Sequence, residues 1–456
     1  MASKASIPQG TRDFPATVVR KRNYILSTIK KVFELYGFQP LETPAMENLD
    51  TLMGKYGEEG DKLIFKILNN GLDNKDKLDK TKAGFDKILE GKNTKDITER
   101  ALKYDLTIPF ARYVAMNQGQ LTFPFKRYQV QPVWRADRPQ RGRYREFTQC
   151  DADVVGSTSL VNEVELANIY HESLVSLGLA QYELRINSRN ILAALAESCG
   201  GAEKMTDISV AIDKLDKIGL EEVKKELGER GLSGEQVNTI ERYLLITGSN
   251  AEKMAQIRSL LGQSAEAQKG IEALEFVLAR ASNTNLVIDF TLARGLNYYT
   301  GIIFEAKAPA EVKMGSIGGG GRYDDLTGLF GVPGIPGVGI SFGIDRIYDV
   351  LEELDLFPAD LQVGTRVLFF NMGEAESAVA FEQMQQLRSK GISCELYHEN
   401  AKISKQFNYA EKKQVPYVVI IGSKETETKS CPVKRLSDGE QQVIAFDQLS
   451  EFFNKA

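Results

Sequence analysis

FKRYQVQPVWRADRPQRGRYREFTQCDADVV, Phe125–Val155, decides the fold. Its two ends alternate with the period of two of half-buried strands, and the Arg/Gly/Pro-rich middle breaks that pattern. The reading is a pair of antiparallel strands joined by a basic loop, with β character from Phe123 onward. Between Lys126 and Glu146 stand seven basic residues, Lys126, Arg127, Arg135, Arg138, Arg141, Arg143 and Arg145, against two acids, Asp137 and Glu146. This segment carries about +5 within a chain of net charge −5. Like charges this dense repel one another unless an anion or carboxylates lie close. Guanidinium forks suit phosphate oxygens; a solvated basic hairpin is the plain alternative.

On the N-terminal side, residues 17–36 have the spacing of an amphipathic helix, with Val18, Ile25, Ile29, Val32 and Tyr36 on one stripe and Gly37 closing it. FQPLETPAM follows as an extended piece. Residues 69–99, rich in Lys, Asp and Asn, read as a surface insertion. On the C-terminal side come a helix near 161–177 and a strand at YELRIN. Residues 200–282 are helical in character, for example EEVKKELGER, and sit between two β-rich blocks. Strand character returns at NLVIDFTLARG and YYTGIIFEAKA, and GVGISFGIDRIYDVLEEL reads as a strand feeding a helix. Beyond a linker near FPADLQVGT, strands (RVLFFNM, ISCELYH, YVVIIG) alternate with helices, which implies a small α/β domain with parallel pairing. The expected domains are 1–199 (with the 69–99 insertion), 200–282, 283–357 and 362–456.

The bulk numbers exclude several classes. A chain of 456 residues exceeds one ordinary core. With 42% hydrophobic and 26% charged residues it has a globular composition, and no stretch approaches the ~20 apolar residues of a membrane span. The N-terminus carries no apolar signal core, so a cytoplasmic location is expected. Four cysteines, Cys150, Cys199, Cys394 and Cys431, lack CxxC spacing, so free thiols are expected and no protein-held metal site. The only histidines, His171 and His398, read as structural, which disfavours chemistry built on a histidine base.

Three more segments can carry chemistry. LARGLNYYTG (Leu292–Gly301) sets Arg294 beside apolar strand residues, where a buried guanidinium needs a counter-charge, structural or ligand. SIGGGGRYDDLTG (Ser316–Gly328) holds four consecutive glycines, which permit close backbone approach; it lacks the Lys-Ser/Thr ending of a phosphate loop, and by itself reads as a tight turn. GVGISFGIDR places Arg346 at the start of a helix.

Taken in order, these segments resemble class II aminoacyl-tRNA synthetases, and specifically the histidyl-tRNA synthetase family, from Gly10 to the C-terminus. GTRDF (10–14) resembles the family's N-terminal signature and LETPAME (41–47) the first class II motif, which builds a dimer interface. VWRADRPQRGRYREF (133–147) resembles the second motif and GVGISFGIDRI (337–347) the third. LARGLNYYTG and GGGGRYDDLTG resemble the two histidine-specific motifs. The resemblance implies an α+β catalytic domain with an antiparallel sheet of class II type, a helical insertion, and a C-terminal α/β anticodon-binding domain. It implies that L-histidine is activated with ATP, with Mg2+ on the outer phosphates, and passed to tRNA(His) by a homodimer.

Residue by residue, the resemblance assigns Arg135 to the α-phosphate and the amino acid's carboxylate, and Arg143 to the outer phosphates. Phe147 and Arg346 would stack on the two faces of adenine, with Asp137 nearby. Gln149 and Asp105 would bind the ammonium, beside Thr107. Asp153 and Tyr299 would recognise the imidazole, with Tyr323 closing the pocket and Tyr298 among the histidine-binding residues. Arg294 would face Arg135 across the reacting phosphate, making these two the catalytic cations. Departures are Asp137 and Asp345, where the family usually has glutamate, Asn297 for a usual aspartate, and Lys103 for a common arginine. Three other readings stay open: a non-catalytic histidyl-synthetase-like regulatory subunit of histidine biosynthesis, a sister class II synthetase, and a nucleic-acid-binding module without catalysis.

Overall fold

The computed structural model describes residues 5–282, 285–293, 298–362 and 364–455. The chain divides into two compact units, residues 1–356 and 357–456.

The first unit is built on an eight-stranded sheet, with a small three-stranded one formed by residues 46–48, 66–67 and 100–102. The strands of the large sheet are β1 (Gln39–Pro40), β2 (Phe125–Trp134), β3 (Glu146–Val155), β4 (Glu183–Ser188), β5 (Leu286–Ile288), β6 (Ile302–Lys307), β7 (Ser316–Tyr323) and β8 (Gly337–Gly343). Their spatial order is β1-β2-β3-β8-β7-β6-β4-β5. The pairings from β2 through β4 are all antiparallel, and the two outer pairings are parallel. The expected hairpin is β2–β3, in register from Phe125 opposite Val155 to Trp134 opposite Glu146.

Opposed residues of an antiparallel ladder share a face. Tyr128, Ala152, Ile340 and Cys150 face one way with Phe342, and all are buried. Against this face pack helices α1 (Ala16–Leu35) and α3 (Val161–Ser176). Phe33 of α1 stacks on Tyr128 at 5.5 Å, and Tyr170 of α3 meets Phe342 at 4.7 Å. Ile25, Ile29 and Val32 form the buried stripe of α1, and Gly37, with φ of 79°, ends it in the left-handed conformation that glycine adopts freely. Helix α4 (Ile344–Glu353) starts directly after β8. Burying this apolar face leaves the opposite face to carry polar side chains.

That opposite face presents Arg127 and Gln129 from β2, then Gln149, Asp151 and Asp153 from β3, then Gly339 and Ser341 from β8. The glycine run is not the tight turn that it suggests in isolation. Gly318–Gly321 lie inside β7, paired on both sides. Glycine is required by space: a Cβ on Gly318 would stand 2.9 Å from the Tyr170 ring, one on Gly321 3.0 Å from the Tyr299 ring, and one on Gly339 1.9 Å from Asp153 Oδ1. On the polar face, the missing side chains of Gly319, Gly321 and Gly339 hollow out the sheet where a ligand could lie. Helix α2 (Thr107–Asn117) borders the hollow.

Residues 200–282 form five helices from Met205–Ile212 to Ala265–Arg280, two of them opened by capping boxes at Ser233 and Ser249. Within 69–99 a helix, Leu78–Leu89, lays Gly84 against Ile97. Among the described residues, no helix is long and apolar enough to cross a membrane. All four cysteines are buried and unpaired.

The second unit holds β9 (Val367–Phe369), β10 (Cys394–Leu396), β11 (Tyr417–Val419), β12 (Ser430–Arg435) and β13 (Gln441–Ala445), in the order β10-β9-β11-β12-β13. The first three pair in parallel, as the strand–helix alternation predicts. The sequence reading omitted the final hairpin, β12–β13, which adds two antiparallel strands and makes the sheet mixed. Its turn, Ser437-Asp438-Gly439, has Gly439 at φ of 75°.

Candidate functional site

Two cavities open on the polar face of the large sheet, and Arg135 lines both. The larger, about 510 Å³, is bordered by Tyr104, Arg135, Asp137, Arg143, Tyr144 and Phe147 from the hairpin side, and by Ser316, Ser341, Asp345 and Arg346 from β7, β8 and α4. The smaller, about 70 Å³, is bordered by Asp105, Thr107, Gln149, Asp151, Asp153, Tyr298, Tyr299, Tyr323 and the glycines of β7 and β8.

The larger cleft is cationic. Arg135 leaves β2 at the loop, its guanidinium 4.3 Å from the Tyr104 ring centroid and 5.1 Å from that of Phe147, while Nε donates to the Tyr104 carbonyl at 3.0 Å. This fixes the stem and turns the head toward the cleft. Arg346 donates from Nε to the Gly142 carbonyl at 3.0 Å and from Nη1 to the Ser316 carbonyl at 2.5 Å. Burial, then the charges of Arg143 and Arg135, pull its pKa down. Two anchored guanidinium groups, Arg135 and Arg346, with the more exposed Arg143 beside them, favour a polyanion, which removes their mutual repulsion.

The smaller pocket is anionic. Asp153 Oδ2 pairs with Arg127 Nη2 at 2.9 Å, and Oδ1 accepts from the Tyr323 hydroxyl at 2.6 Å. Arg127 is fully buried, with its guanidinium 4.2 Å from the Phe110 ring centroid. Asp105 Oδ1 accepts from the Tyr56 hydroxyl at 2.9 Å and from the Ile108 amide at 3.1 Å. Among the described residues, nothing donates to Asp105 Oδ2, Asp151 Oδ1 or Gln149 Oε1, all buried. Burial raises the carboxyl pKa of Asp105, Asp151 and Asp153, that of Asp151 to about 7, with Arg127 opposing the rise for Asp151 and Asp153. Buried acceptors of this kind suit a ligand that brings N–H donors and positive charge.

Of the residues singled out in the sequence, the structure brings Arg135, Asp137, Arg143, Phe147 and Arg346 to the larger cleft. It brings Asp105, Thr107, Gln149, Asp153, Tyr298, Tyr299 and Tyr323 to the smaller one. Arg294 and Asn297 lie outside the described residues. Lys103 is buried, donating to Gln131 Oε1 at 2.7 Å and to the Thr43 carbonyl at 3.2 Å, and burial lowers its pKa to about 8. Sequence reasoning passed over three neighbours of the site. Asp151 stands two residues from both Gln149 and Asp153, so period two alone places it on their face. Arg127 was counted with the basic loop but lies beneath Asp153. Tyr104 supports Arg135.

A cationic cleft joined to an anionic pocket through one shared arginine suits a polyanion beside a small ligand with positive charge. Comparison with known proteins gives that geometry a family. The family model described as histidyl-tRNA synthetase matches residues 85–347, and the anticodon binding domain model matches 366–456. The histidine–tRNA ligase of Christiangramia forsetii is 54% identical over 455 residues, covering 99% of each chain. That of Flavobacterium johnsoniae is 51% identical over 99% of each chain. Among solved structures, the histidyl-tRNA synthetase of Nostoc sp. PCC 7120 superposes with a TM-score of 0.83 at 32% identity, each chain fully covered. A Bacillus halodurans protein described as ATP phosphoribosyltransferase regulatory subunit/histidyl-tRNA synthetase shares the fold, with a TM-score of 0.71 at 19% identity over 92% of this chain.

Proposed function

The chain belongs to the histidyl-tRNA synthetase family and has histidine–tRNA ligase activity, and from that premise we propose how its two cavities divide the reaction. The larger cleft takes ATP and the smaller pocket takes L-histidine. The observation that carries this division is the position of Arg135 between a cationic and an anionic cavity.

A carboxylate oxygen of histidine attacks the α-phosphorus, the bond to the pyrophosphate oxygen breaks, and histidyl-adenylate and pyrophosphate form. Negative charge builds on the phosphoryl oxygens, so cations fixed beforehand supply most of the acceleration, and no protein nucleophile is needed. Arg135 meets the α-phosphate and the carboxylate, and the family resemblance alone gives Arg294 the second contact to the reacting phosphate. Arg143 holds the outer phosphates. Phe147 and Arg346 hold adenine between them, with Asp137 at the same cleft. The free acceptors of Asp105 and Gln149, beside Thr107, take the ammonium. Asp153, Tyr299 and Tyr298 read the imidazole nitrogens, and Tyr323 positions Asp153. A terminal ribose hydroxyl of tRNA(His) then attacks the carbonyl carbon of the adenylate, and AMP leaves.

Magnesium belongs to this proposal as the ion that neutralises the outer phosphates. Among the described residues no group of three His, Cys, Asp or Glu could hold a metal by itself. An ion that arrives with the nucleotide would need few protein ligands. Of the two carboxylates bordering the cleft, Asp345 is engaged closely by Arg12 and Arg22, whereas Asp137 has a looser pairing, 3.8 Å from Arg143, and would be the one to hold it. Homodimerisation through the segment around Pro44 and a cytoplasmic location are further parts of the proposal, resting on the family.

The test is amino-acid-dependent ATP–pyrophosphate exchange across all twenty amino acids, for the unaltered protein and Arg294→Ala. Exchange with histidine alone, and its loss on substitution, is the expected result. Exchange with a different amino acid overturns the pocket assignment, and full exchange by the variant overturns the role of Arg294.

A further inference from the structure

The N-terminal signature Gly10–Phe14 lines neither cavity, yet it touches both walls of the larger cleft. Arg12 Nη2 donates to Asp345 Oδ1 at 2.6 Å, and the same guanidinium lies 3.2 Å from the ring centroid of Tyr144. Asp345 is the residue before Arg346, and Tyr144 follows Arg143. One side chain thus joins the head of α4 to the loop between β2 and β3, across 333 residues of sequence. Arg22 of α1 reaches the same Asp345 oxygen and also donates to Thr148 Oγ1 at 3.1 Å.

The backbone repeats the link. The Gly10 carbonyl accepts from the Arg145 amide at 2.9 Å. Gly10 has φ of 84°, and a Cβ there would stand 2.8 Å from Arg145 Cγ and 3.0 Å from Pro139 Cγ. Arg145 in turn donates from Nε to the Asp137 carbonyl at 3.1 Å. Against solvent alone, a loop with this density of positive charge would spread; these contacts fold it back over the cleft.

We propose that Gly10–Phe14 is a strap that fixes the Arg135–Arg145 loop to α4, and that Arg12 is a positioning residue for nucleotide recognition. It works through Tyr144 on Arg143 and through Asp345 on Arg346, and it leaves the smaller pocket untouched. This rests on the reading of the larger cleft as the ATP site.

The experiment measures KM for ATP and KM for histidine in pyrophosphate exchange, for Arg12→Ala, Arg12→Gln and, as reference, Arg143→Ala. Small misplacements of binding groups can cost up to ~100-fold. Arg12→Ala is expected to raise KM for ATP roughly tenfold and to leave KM for histidine unchanged. Arg12→Gln keeps a planar group over Tyr144 but loses the charge, so it is expected to fall between; it also serves if Arg12→Ala does not fold. Tyr144→Ala combined with Arg12→Ala should cost less than the two separate effects multiplied. A folded Arg12 variant with unchanged KM for ATP, or with both KM values raised alike, overturns the strap. If Arg143→Ala also leaves KM for ATP unchanged, the cleft reading itself fails; if it raises KM while Arg12→Ala does not, only the strap fails.

Discussion

Arg135→Ala is expected to lower kcat/KM for histidine-dependent pyrophosphate exchange by about 10³-fold or more while the protein stays folded. The size follows from position. Arg135 borders both cavities, so in the proposed division its guanidinium is the described cation that reaches both reactants. Removing a fixed donor from developing negative charge costs on the order of 10²–10³ in rate, and a catalytic arginine at a phosphoryl group ~10³–10⁵. The structural loss is small by comparison. Arg135 is half-buried, and the substitution removes stacking on Tyr104 and Phe147 and one hydrogen bond to the Tyr104 carbonyl. Such contacts contribute about 1–2 kcal/mol, so thermal unfolding should shift little. Arg135→Lys restores a charge without the fork and should recover only part of the rate. Near-normal exchange by Arg135→Ala would remove Arg135 from the reaction.

Asp153→Ala is expected to damage stability and specificity together. Its carboxylate neutralises Arg127, whose side chain is 0% exposed. Breaking a buried pair from one side costs about 3–5 kcal/mol, because the remaining charge stays desolvated. Urea unfolding reads this directly. The same carboxylate is the proposed imidazole acceptor, and loss of a charged hydrogen bond of about 1.5–3 kcal/mol raises KM for histidine roughly 10–100-fold with KM for ATP unchanged. The two effects separate in a double variant. Arg127→Met with Asp153→Leu replaces the pair by apolar volume, which is often neutral for stability. It should unfold at higher urea than Asp153→Ala and still bind histidine poorly. A double variant that regains histidine affinity would show that Asp153 matters only as the counter-charge of Arg127.

The sequence disclosed whatever local periodicity or motif order could carry. Period two exposed the β2–β3 hairpin, and the 3.6-residue stripe of Ile25, Ile29 and Val32 exposed α1. Gln149 and Asp153 came with the family resemblance, and the spacing that joins them also held Asp151 unnoticed. Arg127 misled because a charge count cannot tell a buried pair from a phosphate contact; only its place opposite Asp153 in the ladder decides. The glycine run misled for a similar reason. Four glycines suggest a turn until the strands on either side are known, and what requires glycine there is the proximity of Tyr170, Tyr299 and neighbouring backbone. The strap was invisible because Arg12 meets its counter-charge at Asp345, and no local pattern links residues that distant. The hairpin β12–β13 was legible from Asp438-Gly439 between two alternating runs, and was passed over.

In the proposed reaction, two cavities of opposite charge, joined at Arg135, hold the two halves of one intermediate. A crystal structure with a non-hydrolysable histidyl-adenylate analogue tests it most directly. The expected result places the phosphoryl mimic against Arg135, adenine between Phe147 and Arg346, the ammonium at Asp105 and Gln149, and the imidazole at Asp153. An analogue bound with its adenine in the smaller pocket, or with Arg135 out of reach of the phosphoryl mimic, would contradict it.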